Sequence, residues 1–127
     1  MQRFHLPSIA ASGRRAPKVL VSTAECRAVV IDLTPGERLG EHSVHERALV
    51  QVVSGRVRIE AGGDACECEP ATLVAFDPGE RHAVEALDHA RVLLLLAPWP
   101  GEGHYAGGDA GRDPAAVAAS TRVAPDG

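Results

Sequence analysis

GERLGEHSVHERALVQVVSG, residues 36–55, holds two of the chain's six histidines, His42 and His45, between turn glycines and a strongly apolar run. Its second half, Ala48 to Val53, is the β-branched, aliphatic composition of a buried strand. Ser54-Gly55 then makes a turn, and Arg56 to Ala61 alternates strictly, with Val57, Ile59 and Ala61 on one face. That alternation is the mark of a half-buried strand with a hydrated outer surface. Gly62-Gly63-Asp64 is a hairpin signal, and Ala65 to Glu69 alternates in the same way. Working outward, Lys18 to Ser22, Cys26 to Leu33 and Leu39 to Val44 supply extended runs upstream, broken at Thr34-Pro35-Gly36. Thr72 to Phe76, His82 to Leu87 and Ala90 to Ala97 supply them downstream. Eight or nine short strands at regular spacing, with no amphipathic helix among them, predict an all-β antiparallel sandwich or barrel.

The chain has 127 residues, a size that builds one core without staples, and only 3% aromatic residues, so that core is aliphatic. Residues 1–17 are expected to form a flexible N-terminal arm, 18–98 the strand-rich body, and 99–127 a Gly-, Pro- and Ala-rich tail, partly disordered. Trp99 and Tyr105, the one Trp and the one Tyr, are candidates to pack back from that tail. A net charge of -4 without a basic cluster argues against nucleic acid as a partner. The apolar run Val92 to Ala97 is far too short to span a bilayer, and the first residues lack the apolar segment of an export signal. A cytoplasmic protein is expected. That run is apolar on both faces, which suits a strand covered on both sides or a homodimer contact.

Three cysteines, Cys26, Cys66 and Cys68, are an odd number. Cys66 and Cys68 share one face of a strand, while Glu67 and Glu69 take the other. The pair lacks the second half of a zinc site, and two small buried hydrophobes is the expectation.

Histidines that hold a metal must converge on one point. His42 and His45 are three apart, so a regular strand turns them to opposite faces, and only a bulge or turn brings them together. His82, after the Asp77-Pro78-Gly79 turn, is the candidate third ligand from another strand. Glu80, Arg81 and Glu85 around it are expected to be solvated. Gln51, polar within LVQVV, suits either a pocket or a sheet edge or subunit contact.

The arrangement resembles the cupin superfamily. In its first motif, G-x5-H-x-H-x3-E-x6-G, Gly36, His42 and Gly55 fall on the first Gly, the first His and the last Gly. In its second, G-x5-P-x-G-x2-H-x3-N, Gly79 and His82 fall on the second Gly and the His. The resemblance implies a double-stranded β-helix, the jelly-roll barrel of that family, and a site of three His and one Glu. Here Val44 and Ala48 stand at the second His and the Glu, Ala71 at the second motif's leading Gly, Asp77 at its Pro and Ala86 at its Asn. These departures move the expectation away from the usual metalloenzyme.

Three functions follow. The first is a small-molecule-binding barrel lined by His42, Val44, Ala48, Val50, Val52, His82, Val84 and Ala86, with the two histidines as its polar groups and no cofactor. The alternative is a metal-dependent enzyme of dioxygenase or isomerase type, with a divalent transition metal on His42, His45 and His82. The third is a non-catalytic, dimeric interaction barrel.

Overall fold

The computed structural model describes residues 1–42 and 47–97, with Glu41 and His42 described by their backbone alone. In chain order its strands are β1 (Lys18–Ser22), β2 (Arg27–Leu33), β3 (Arg38–His42), β4 (Arg47–Ser54) and β5 (Val57–Ala61). β6 (Asp64–Cys68), β7 (Leu73–Phe76), β8 (His82–Ala86) and β9 (Ala90–Ala97) follow. Among the described residues the helical content is one 3-10 turn, Leu6–Ser8. No helix among them is long and apolar enough to cross a membrane.

Each strand falls where alternation or β-branching placed it, within two residues at either end. They form two antiparallel sheets, β1-β2-β9-β4-β7 and β3-β8-β5-β6, whose facing surfaces close an all-β jelly-roll barrel. Period-2 alternation decides what each strand gives the interior. Val29, Ile31 and Leu33 of β2 meet Val92, Leu94 and Leu96 of β9 and Ala48, Val50 and Val52 of β4. Val57, Ile59, Val84 and Ala86 come from the opposite sheet into the same cluster.

The apolar run of β9 lies mid-sheet, paired with β2 on one side and β4 on the other. Its alternate side chains, Leu93 and Leu95, are half-buried on the outer face. Gln51 pairs with Leu93 and Leu73 on that face, which places it away from the interior, and β4 lies between β9 and β7, so it is not at a sheet edge either.

The N-terminal arm touches the barrel at Leu6 and Ser12. Arg91 grips Asp32 with two parallel hydrogen bonds, Nε to Oδ1 at 2.7 Å and Nη2 to Oδ2 at 2.9 Å. Arg91 Nη1 also donates to the Leu6 carbonyl at 2.8 Å, and the Ser12 amide donates to Asp32 Oδ2 at 2.7 Å. Burial pushes the Asp32 carboxyl up, but the Arg91 and Ser12 hydrogen bonds and the Arg91 charge outweigh it and hold it below its ordinary value. A bidentate, partly buried pair of this kind is worth about 2 kcal/mol against loss of one partner. The anchor leaves no local trace in the sequence, because Asp32 and Arg91 are far apart in the chain, Leu6 contributes its backbone carbonyl, and Ser12, which bonds Asp32 through both its amide and its hydroxyl, is as distant.

Candidate functional site

The candidate site lies at one end of the barrel and is built around His82. Residues 77–80 form a tight turn in which the Glu80 amide donates to the Asp77 carbonyl at 3.0 Å. The Asp77 amide donates in return to Glu80 Oε1, also at 3.0 Å. The turn delivers His82 as the first residue of β8 and leaves the Glu80 carbonyl 3.1 Å from its Nδ1. A carbonyl can only accept, so Nδ1 carries the proton and Nε2 keeps its lone pair.

His82 is 4% exposed, and its ring stacks on Phe76 with centroids 4.0 Å apart and planes 10° from parallel. Burial lowers its pKa below the ordinary 6.5, against the smaller raising effects of the Glu80 carbonyl and carboxylate. At neutral pH the group is therefore a neutral imidazole. The stack also joins the sheets, since Phe76 belongs to β7 of one and His82 to β8 of the other.

The register shows what else stands at this end. Ala48 pairs with Phe76 on one side and with Leu96 on the other, and Leu96 pairs with Arg27. Arg27 has the parity of Val29, Ile31 and Leu33, so it is the inward position of β2 nearest this end. The residue is half-buried, and its Nε is withdrawn from solvent. Neither Arg27 nor Phe76 was among the expected site residues. Parity along RAVVIDL would have found Arg27, whereas nothing in the sequence announces the ring stack.

A cavity of about 390 Å³ lies against His82, bordered by the β5–β6 hairpin (Ala61 to Ala65), Arg58, Glu60 and Arg81. Arg81 is exposed, and Glu85 is half-buried beside Arg38 at 3.6 Å, so neither is placed as a catalytic group.

Of the expected site residues, His42 and His82 are cross-strand partners in the β3–β8 register, with an irregularity between Leu39 and His42. Val44 and His45 lie outside the described residues, as do the side chain of His42 and all of Trp99 and Tyr105. Ala48, Val50, Val52, Val84 and Ala86 are each at most 2% exposed and belong to the contiguous core cluster. Of these five, Ala48, opposite Phe76, stands at the His82 end, and the other four fill the barrel further in.

The cupin resemblance implies a metal, and His82 is the expected ligand whose side chain is described. His82 fits as a ligand, because its Nδ1–H is held by a carbonyl in the way that orients metal-bound imidazoles. Among the described residues, however, no group of three or more His, Cys, Asp or Glu side chains could hold an ion. A catalytic centre generally uses three protein ligands; the side chains of His42 and His45 lie outside the described residues, and no step is routed through a metal.

The fold is shared widely. A protein from Thermus thermophilus, TT1209, superposes with a TM-score of 0.69 at 19% identity, covering 77% of this chain and 98% of that one. An RmlC-like cupin from Desulfovibrio desulfuricans gives 0.68 at 16% identity, over 77% and 97%. KdgF from a Halomonas species gives 0.64 at 21%, over 66% and 80%. At these identities the likeness is one of fold. No curated protein matches the chain. The family model described as a cupin domain matches residues 29–98, from within β2 to just past β9 and more than half of the sequence. The strand order, the His82 end of the barrel and that match agree, and the chain belongs to the cupin family.

Proposed function

We propose that this cupin binds a small molecule bearing a carboxylate at the His82 end of its barrel. The observation that carries the reading is His82 itself, a buried, neutral imidazole locked by the Glu80 carbonyl and the Phe76 ring. Such a group orients a ligand without needing to move. Arg27 supplies the counter-charge, since a guanidinium matches a carboxylate in a two-point contact. His42 is the register partner of His82 and is assigned as the second polar group on that pairing. The ligand is placed at the mouth of the barrel beside His82, above the closed core that Ala48, Val50, Val52, Phe76 and Val84 form. The alternative reading, a metal enzyme on His42, His45 and His82, has less support, because Val44 and Ala48 stand where the family's second His and its Glu would be.

Calorimetric titration of small carboxylates, each paired with its neutral amide, tests the proposal. His82→Asn is expected to weaken carboxylate binding about ten- to a hundredfold, the loss of one or two buried hydrogen bonds. Arg27→Met is expected to erase the preference for acid over amide. If the asparagine variant folds and binds as tightly as the parent, or if acids and amides bind alike, the reading fails.

We further propose that the chain pairs with a second copy through the outer face of the five-stranded sheet. Half-buried Leu93 and Leu95 and exposed Leu73, 57% accessible, form an apolar surface there. Because Leu73 is on an edge strand and exposed, Leu73→Glu leaves the core alone. Sedimentation equilibrium is expected to show a dimer that this substitution weakens about tenfold or more. A parent protein that stays monomeric at all concentrations would remove the proposal.

A further inference from the structure

We propose that Cys66 and Cys68 form a two-sulfur clamp for a thiophilic centre of bent geometry, chemically a trivalent arsenic carrying one organic group. The inference is independent of the His82 site. Both cysteines lie on β6, the edge strand of the four-stranded sheet, with Cys66 opposite Ile59 and Cys68 opposite Val57. Their Sγ atoms are 3.5 Å apart. The expectation of two buried hydrophobes holds for half of the pair, since Cys68 is 4% exposed while Cys66 is open to solvent. One sulfur is thus a point of entry and the other a fixed, dry anchor.

Geometry selects the occupant. Residues two apart on a strand have Cα atoms about 6.5 Å apart. That is near the upper limit of about 6.8 Å for a disulfide, and the sulfurs would have to close to about 2.0 Å. Oxidation would therefore pinch the strand, whereas a bridging atom would leave it unchanged. With bonds of about 2.3 Å to sulfur, a separation of 3.5 Å subtends an angle of roughly 100° at the bridging atom. Ions that prefer linear pairs of thiolates would need the sulfurs about 4.6 Å apart on the same bond length.

Zinc would need two more ligands, and no group of three or more metal-binding side chains occurs among the described residues. Glu67, between the cysteines, belongs to the other face and pairs with Arg56 at 3.1 Å. A centre satisfied by two sulfurs and a substituent of its own remains. Burial, with the neighbouring Cys66 adding to it, pushes the Cys68 thiol up to about 11, so the two sulfurs resist ionising together. A bridging arsenic relieves that, because it takes both sulfurs as neutral thioether-like bonds.

The step balances without an oxidant. A monosubstituted arsonous acid, R–As(OH)2, meets two thiols; two As–O bonds break and two As–S bonds form. The thiol protons leave with the hydroxides as two waters, and arsenic stays trivalent.

The test uses phenylarsonous acid on the full chain, read by intact mass and challenged with excess glutathione. The expected result is one adduct, two waters lighter than the sum of its parts, that survives the monothiol and is released by a small dithiol. Cys66→Ser and Cys68→Ala are each expected to hold the arsenical about a hundredfold less tightly, because closing the second bond is intramolecular only in the pair. Cys26→Ser should behave as the parent. The proposal is overturned if glutathione strips the parent adduct, if the adduct persists in Cys66→Ser, or if it requires Cys26. Cys66 is exposed, so its substitution tests the clamp even if Cys68→Ala unfolds.

Discussion

Gly55→Ala is expected to destabilise the barrel by about 4 kcal/mol, while Gly36→Ala costs about 1 kcal/mol. Both residues have left-handed backbone, φ +74° at Gly55 and +87° at Gly36, so each substitution carries the same conformational penalty of roughly 1 kcal/mol. What separates them is space. A Cβ on Gly55 would lie 2.0 Å from the His89 carbonyl oxygen and 2.8 Å from the Ala90 Cα. These are backbone atoms of the turn that launches β9, the strand paired to both β2 and β4, so they cannot swing aside. A Cβ on Gly36 would meet nothing within 4 Å. The same reasoning reverses the sign at Ala71, which holds φ 75° without being glycine; Ala71→Gly is expected to stabilise by about 0.5–1 kcal/mol. Denaturant unfolding of the three variants checks the order. Equal losses at Gly55 and Gly36 would show that the close approach of the two turns is not what requires glycine.

That series also explains why part of the molecule was legible in the sequence. Gly36, Gly55 and the Ala71 position mark backbone conformations, and backbone requirements leave a local trace that spacing can catch. Strict alternation in RVRIEA and β-branching in CRAVVIDL placed strands for the same reason. The site was less legible, because its contacts join residues distant in the chain. The Phe76–His82 stack couples two sheets, and the Arg27 position is brought to that end through Leu96 and Ala48. The Ala71 departure is instructive: the motif's leading glycine is missing, yet the turn it serves is kept. Its amide still donates to the Val52 carbonyl at 2.7 Å. A motif residue can therefore be lost while its geometry persists, which is why the fold could be read from a motif only partly preserved.

Replacing Phe76 is expected to damage stability and the site together. Phe76 is 1% exposed, and truncation to alanine should cost about 3–5 kcal/mol, a large share of the stability of a domain this size. Phe76→Leu keeps most of the volume and should cost about 1–2 kcal/mol, which leaves a folded protein to study. In that variant His82 loses its stacked ring and gains access to water. Burial is the main cause of its lowered pKa, so the value is expected to move up towards 6.5, measurable by NMR titration of the imidazole. The sign of the stability effect follows. With the folded pKa below the unfolded one, the unfolded chain takes up the proton first as pH falls. The parent therefore has this contribution in full above pH 6.5 and loses it as pH falls from there through the folded value. Phe76→Leu should be less stable than the parent at neutral pH but lose less on acidification, so the two stability curves converge as pH falls. Parallel curves, with the His82 titration unmoved, would mean that the ring contributes packing alone and that water is kept from the imidazole by other groups.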